Sequence, residues 1–191
     1  MSSQPIVIDI ETQHSFQEVN YDYSKLKISV VGLYDYLTDS YQVFREHQLN
    51  DLFKIIEHSS QIIGFNIRKF DLPVLAPYYL GNFKQFEIVD ILELVESSLG
   101  FRIALDSLAR ATLGVKKSGH GFLAINYFRE GDWENLEKYC LMDVKITKDL
   151  FDFLQKNGKL VYQSPRGLKD IKINLPKKDS KKNPVSLSLP F

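Results

Sequence analysis

Apolar residues in the first half of the chain fall in short runs rich in β-branched side chains, and in the second half at helical spacing. The run over residues 5–10 reads as a buried strand. Residues 27–34 (KISVVGLY) and 41–45 (YQVFR) read as two more strands, joined by a hairpin turn over 37–40. Asn50 or Asp51 is placed to cap a helix running to about His58, with Leu52, Phe53, Ile55 and Ile56 as its apolar face. Residues 61–65 form a fourth short run. Residues 71–80 look helical with a break near Pro77, and residues 86–90 (FEIVD) give a fifth strand. Helical patterning then takes over at 91–99, 104–113 and 133 to about 155. The order predicts an α/β protein: a three-stranded meander, then strand–helix alternation, then a helical half. Residues 13–24 read as a polar loop folding over the end of the first strand.

That first strand carries two carboxylates, Asp9 and Glu11, within Val7-Ile8-Asp9-Ile10-Glu11-Thr12. Residues two apart on a strand share a face. Like charges paired beside a core are costly unless a cation lies between them. Two further acids suit the same chemistry. Asp71 follows a strand and a polar turn and opens a helix, although Asp before Leu72-Pro73 also reads as an N-cap. Asp143 lies four residues after Tyr139, so the two share a helix face flanked by Leu136, Val144 and Ile146; an ordinary surface pair has the same spacing. Together the four acids and the tyrosine make an all-oxygen ligand set for two hard divalent cations. A metal pair of that kind, roughly 3.5–4 Å apart, serves hydrolytic phosphoryl transfer.

Charge and composition narrow the class. The 191 residues are 44% hydrophobic and 25% charged, as in a globular protein of one domain, or one domain and a tail. The single cysteine, Cys140, excludes an intramolecular disulfide and a thiolate zinc cage. The first residues lack the basic start and apolar run of a secretion signal, and no apolar stretch reaches membrane-spanning length, so a cytoplasmic setting is expected. The formal net charge of zero hides a division. Residues 1–155 hold 15 Lys and Arg against 22 Asp and Glu, whereas residues 156–191 hold 9 against 2. An acidic body suits a site that gathers cations; a basic extension suits a polyanion or an acidic protein surface. Two segments, 160–162 and 168–175, form a possible hairpin turned at Pro165-Arg166-Gly167. The Lys-, Ser- and Pro-rich residues 176–191 read as a tail, whose last five, Leu-Ser-Leu-Pro-Phe, read first as an end without a role of its own and second as a short docking peptide for a protein partner. The expected organisation is thus a domain over 1–157 and a basic extension over 158–191.

The order Asp9-Ile-Glu11-Thr12, then Asn66-x-x-x-Phe70-Asp71, then Tyr139-x-x-x-Asp143 resembles the three motifs of the DEDD superfamily of 3′–5′ exonucleases. With Tyr139 four residues before Asp143, the match is to the tyrosine subclass. It is most similar to stand-alone exonucleases related to the proofreading domain of family B DNA polymerases. The stretches Phe70-Asp71-Leu72-Pro73, Asp106-Ser107-Leu108-Ala109 and Lys117-Ser118-Gly119 extend the likeness, which covers about residues 5–155.

The resemblance implies a ribonuclease H-like fold, with a central mixed sheet of about five strands flanked by helices. It implies two divalent ions, Mg²⁺ or Mn²⁺, with Asp9 bridging both, Glu11 and Asp143 completing the ligands of the first ion, and Asp71 holding the second ion. Tyr139 would orient the attacking water; an unperturbed phenol pKa near 10 favours alignment over general-base work. Thr12, Asn66 and Phe70 would place the terminal nucleotides, although Phe70 equally suits a core position. Lys117 and His120, in a basic Gly-flanked loop, are candidate phosphate contacts. The implied activity is removal of nucleoside 5′-monophosphates from 3′ ends of single-stranded DNA or RNA. A non-catalytic nucleic-acid-binding module, or an endonuclease of the same fold, would use the same frame. Intact acids at every motif position argue against the former.

Overall fold

The computed structural model describes residues 3–115 and 122–175. Among these, the elements run β1 (Pro5–Thr12), β2 (Ile28–Asp35), β3 (Ser40–Arg45), α1 (Leu49–His58), β4 (Gln61–Gly64), α2 (Asp71–Leu75) and β5 (Ile88–Asp90). The helical half follows: α3 (Ile91–Leu99), α4 (Leu105–Leu113), α5 (Phe122–Glu130), α6 (Trp133–Asn157), then β6 (Lys159–Ser164) and β7 (Gly167–Lys172). The first five strands form one mixed sheet in the order β3-β2-β1-β4-β5. β3, β2 and β1 are antiparallel, and β1, β4 and β5 are parallel. β6 and β7 form a separate hairpin turned at Pro165-Arg166.

Strand alternation sorts the side chains onto two faces. Ile6, Ile8 and Ile10 of β1 point to one side, into a core shared with Leu52 and Ile56 of α1 and with Val74 and Leu75 of α2. Val7 points to the other, into a core built with Leu108 of α4, Val144, Leu150 and Phe151 of α6, and Leu160 and Ile171 of the hairpin. Every residue of β2 is buried. The 25-residue α6 crosses this second face, packing against β1 and β2 and against α4 and α5. Arg45 of β3 ties its first turns down, bonding Glu137 at 2.7 Å and stacking over the Trp133 ring at 4.2 Å.

Several local expectations need correction. Asn50 and Asp51 do not cap α1. A tight turn over Glu46–Gln48 starts the helix earlier, so both lie inside its first turn and Gln48 is the cap. Nor is Asp71 an N-cap: Phe70 occupies that position with no side-chain bond, and Asp71 is the first helical residue. The helix it opens stops at Leu75 and tightens into a turn at Ala76–Tyr78, where Pro77 withholds an amide. α5 was not expected: its sequence, FLAINYFRE, has aromatic and apolar residues spread around the helix with no clean stripe.

Candidate active site

Alternation along β1 places Asp9 and Glu11 on the α6 side of the sheet, two and four positions beyond Val7. Across the ladder Asp9 pairs with Gly32 of β2 and Glu11 with Val30. Gly32 lets the helix come close: a Cβ there would stand 2.8 Å from Val144 Cγ2 and 2.9 Å from Cys140 Sγ. Nothing in the residues around Gly32 signals this requirement. The Gly32 amide donates to Cys140 Sγ at 3.1 Å, and the thiol lies 3.4 Å from the Asp9 carbonyl oxygen. Burial pushes the Cys140 thiol up, and the neighbouring Asp9, Glu11 and Asp143 charges push it further, so this cysteine is a packing group and not a nucleophile.

With α6 seated there, Asp143 meets the two strand acids. Asp9, Glu11 and Asp143 each offer a carboxylate oxygen within 4.8 Å of the others. Asp143 is buried, and Asp9 and Glu11 are half-buried. Three carboxylates packed so closely repel one another, and an all-oxygen set of this kind fits a hard divalent cation. Tyr139, one turn before Asp143, is 8% exposed and lines the same cleft as the three acids.

Asp71 lies outside this group of three. It is 3% exposed, and loss of hydration pushes its carboxyl up to about 8. Its own amide pulls the other way, the Asp90 charge raises it further, and the amide of Ile10, between Asp9 and Glu11, lowers it. β4 pairs with β1 only over Pro5–Val7, so β1 runs on past the end of that ladder, and Asp71 reaches the β1 backbone there. Crevices at the carboxyl ends of parallel strands are the usual ligand sites of open α/β sheets.

The turn between β4 and α2 is fixed by Asp90, a residue the sequence marked only as a strand end. Its Oδ1 accepts from the amides of Asn66 (2.9 Å), Leu92 (3.0 Å) and Glu93 (3.2 Å), and its Oδ2 from the amide of Arg68 (3.1 Å). Capping of α3 accounts for two of these bonds; the other two hold the loop that leads to Asp71.

Two depressions adjoin the acids, and Asp9 and Asp143 line both. The larger, about 700 Å³, is walled by Phe16, Tyr21, Phe70 and Ile125 beside Glu11 and Tyr139. The smaller, about 380 Å³, is bounded by Phe65, Asn66, Arg102 and Leu105. Thr12 is buried and lines the larger one, its hydroxyl donating to the His14 carbonyl at 2.9 Å. Phe70 lines it too, edge-on to Phe16 at 5.7 Å between ring centroids. Asn66 opens instead onto the smaller. Lys117 and His120 lie outside the described residues.

Phe16 and Tyr21 belong to the segment read as a polar loop, whose three aromatics, with Tyr23, were the signal for a less ordinary role. Glu18 pins this segment. The Ser15 amide and hydroxyl, followed by Arg129 of α5, hold its carboxyl down at about 2.

Comparisons with known proteins bear on the fold and the family. The fold is similar to the family B DNA polymerase of the hyperthermophilic archaeon Pyrobaculum calidifontis (TM-score 0.63, 16% identity), covering 81% of this chain and 25% of that one. It is also similar to Trypanosoma brucei RNase D (TM-score 0.60, 17% identity), covering 80% of this chain and 58% of that one. The chain therefore spans a quarter of the polymerase and rather more than half of the RNase. No curated protein sequence matches it. No helix among the described residues is long and apolar enough to cross a membrane. The model of the RNase H superfamily matches residues 6–155, most of the chain, and the protein belongs to that superfamily.

Proposed function

We propose that this protein is a metal-dependent 3′–5′ exonuclease acting on single-stranded nucleic acid. The observation that carries the reading is the convergence of Asp9, Glu11 and Asp143 within 4.8 Å at a cleft that Tyr139 also lines. Superfamily membership and the nuclease among the structural neighbours support it.

In this reading Asp9, Glu11 and Asp143 would hold one divalent ion, Mg²⁺ or Mn²⁺, and Asp71, sharing Asp9, a second. Bound there, such ions supply charge neutralisation at the phosphate and activation of water. The chain's own groups do the rest. Tyr139, held in the helix-packed wall of the cleft, directs a water toward the phosphorus through its hydroxyl. Phe70 and the Thr12 backbone place the terminal nucleotide in the larger depression, and Asn66 borders the strand on the other side. Hydrolysis forms one P–O bond from water and breaks the bond to the 3′ oxygen, releasing a nucleoside 5′-monophosphate. The aromatic walls suit stacking, which tolerates any base and favours an unpaired end.

Purified protein with Mg²⁺ or Mn²⁺ should shorten 5′-labelled single-stranded DNA or RNA one nucleotide at a time and leave a circular single strand intact. Asp9→Ala should lower the rate by roughly a hundredfold or more. Cleavage of the circle would make the protein an endonuclease. An Asp9→Ala protein as active as the wild type would end the metal-dependent reading.

A further inference from the structure

The acids that suit metal ions present a difficulty to a polyanionic substrate, and the described residues that line the two depressions answer it with one Lys or Arg side chain. That residue is Arg102, in the segment between α3 and α4. Building on the nuclease reading, we infer that Arg102 is a phosphate-binding residue. It holds one backbone phosphate adjacent to the scissile linkage as the strand crosses from the aromatic depression to the polar one.

The geometry separates Arg102 from the other cations nearby. Arg68 is committed twice, to the Glu93 carboxylate at 3.0 Å and to the Ile88 carbonyl at 2.9 Å. Lys69 reaches Glu96 at 3.5 Å and does not line either depression. Arg102 makes its short bond to a neutral group: Nη2 donates to Asn66 Oδ1 at 2.6 Å. Its contact with charge is longer, Nη1 to Glu96 at 3.3 Å, on a carboxylate it shares with Lys69. An exposed ion pair of this kind holds its partners weakly. Exchanging Glu96 for a phosphate oxygen leaves the Asn66 bond in place, so the guanidinium is oriented before the substrate arrives. The planar fork of arginine suits two oxygens of one phosphate.

The location gives the contact its use. Asn66 stands in the turn that Asp90 fixes, and Asp9 and Asp143 form the shared floor. A phosphate on Arg102 is therefore held at a set distance from the acids, while a base occupies the aromatic depression across the floor. The apolar side binds the base and the cationic side binds the backbone.

Neutral methylphosphonate linkages, placed one at a time along the last four linkages of a single-stranded oligonucleotide, test this directly. Binding is read by fluorescence anisotropy with Ca²⁺ as the divalent ion, and intactness of the oligonucleotide is checked on a gel. For the wild-type protein, one position should weaken binding about tenfold more than its neighbours. Arg102→Gln keeps an N–H donor toward Asn66 but removes the charge, and with it the protein should no longer distinguish that position. Its salt dependence should fall by about 0.7 in the log–log slope, the value of one phosphate contact on a single strand. Arg102→Lys should recover part of the discrimination. Identical position profiles for wild type and Arg102→Gln, in proteins of equal melting temperature that bind and cleave, would overturn the assignment and leave the nuclease reading standing. A wild-type protein that neither binds nor shortens the strand would overturn both.

Discussion

Asp71 and Asp90 are alike in sequence setting and unlike in the structure. Each stands where a helix begins, and they are 3% and 4% exposed. Asp90 receives four backbone amides, two from the helix it caps and two from the turn after β4. Asp71 sits one residue further into its own helix, past a cap with no side-chain bond, and burial drives its carboxyl up to about 8. One buried carboxylate is saturated with donors and organises backbone. The other is poorly solvated next to the three-acid group and would gain from a cation. Burial alone does not mark an acid as functional; how its charge is balanced does.

The comparison breaks most visibly at Asp90. Asp90→Ala strips the amides of Asn66, Arg68, Leu92 and Glu93 of their acceptor, one of them in a buried bond and three in partly buried ones. A buried amide left without a partner costs about 1–3 kcal/mol and a partly buried one less, so a total loss of about 3 kcal/mol is expected. That corresponds to a fall of roughly 10 °C in melting temperature for a chain of this size. Divalent ions should not restore it, because the lesion is in the backbone and not in the acid group. A variant melting within 2 °C of the wild type would remove the structural role given to Asp90.

Asp71 should behave in the opposite way. Its folded pKa, about 8, lies above the unfolded value near 3.8, so the folded protein binds a proton more tightly than the unfolded chain. In EDTA its contribution therefore favours the folded state least at high pH: stability falls as pH rises from about 4 to about 8, by on the order of a few kcal/mol, and the penalty is complete above that. Asp71→Asn should flatten this segment of the curve, so that the variant in EDTA is the more stable protein at pH 8 and differs little at pH 4. With Mg²⁺ or Mn²⁺ the wild type should recover stability at pH 8 and the variant should recover less. Urea titrations at pH 4, 6 and 8, with and without the ion, read all of this. Equal slopes for the two proteins in EDTA would mean that Asp71 is not the strained acid.

What the sequence could show of this site follows from the range of each signal. Asp9 with Glu11, and Tyr139 with Asp143, were legible because a strand repeats every two residues and a helix every 3.6, so shared faces can be counted locally. The meander of β1, β2 and β3 was legible through short apolar runs and the turns between them, whereas the place of β4 beside β1 was not. Gly32 was not: its need for a bare Cα comes from Val144 and Cys140, more than a hundred residues away. Asp90 was legible only as the end of a strand, because its bonds to Asn66 and Arg68 depend on the parallel pairing of β4 with β5. Phe16 and Tyr21 were visible as aromatics in a polar loop but not as walls of a cleft, since the direction a loop side chain takes has no period to betray it.

The smallest expected effect isolates what Asp90 does to the backbone. Asn66 has a φ of 66°, in the left-handed region, while its amide bonds Asp90 and its side chain bonds Arg102. Asn66→Gly should change stability by no more than about 0.5 kcal/mol, because glycine adopts that region freely. Asn66→Ala should cost about 1 kcal/mol more than the glycine variant, the strain of a Cβ in a left-handed residue. Both should weaken substrate binding by the same few-fold factor, because both remove the oxygen that orients Arg102. The gap between alanine and glycine thus reports the backbone, and the loss they share reports the side chain. If Asp90 is what forces the left-handed turn, the gap should narrow in an Asp90→Asn background, where the clamp is weaker and the turn can relax. A gap that persists unchanged there would mean that the turn is set by the β4–α2 chain itself, with Asp90 merely occupying the amides it offers.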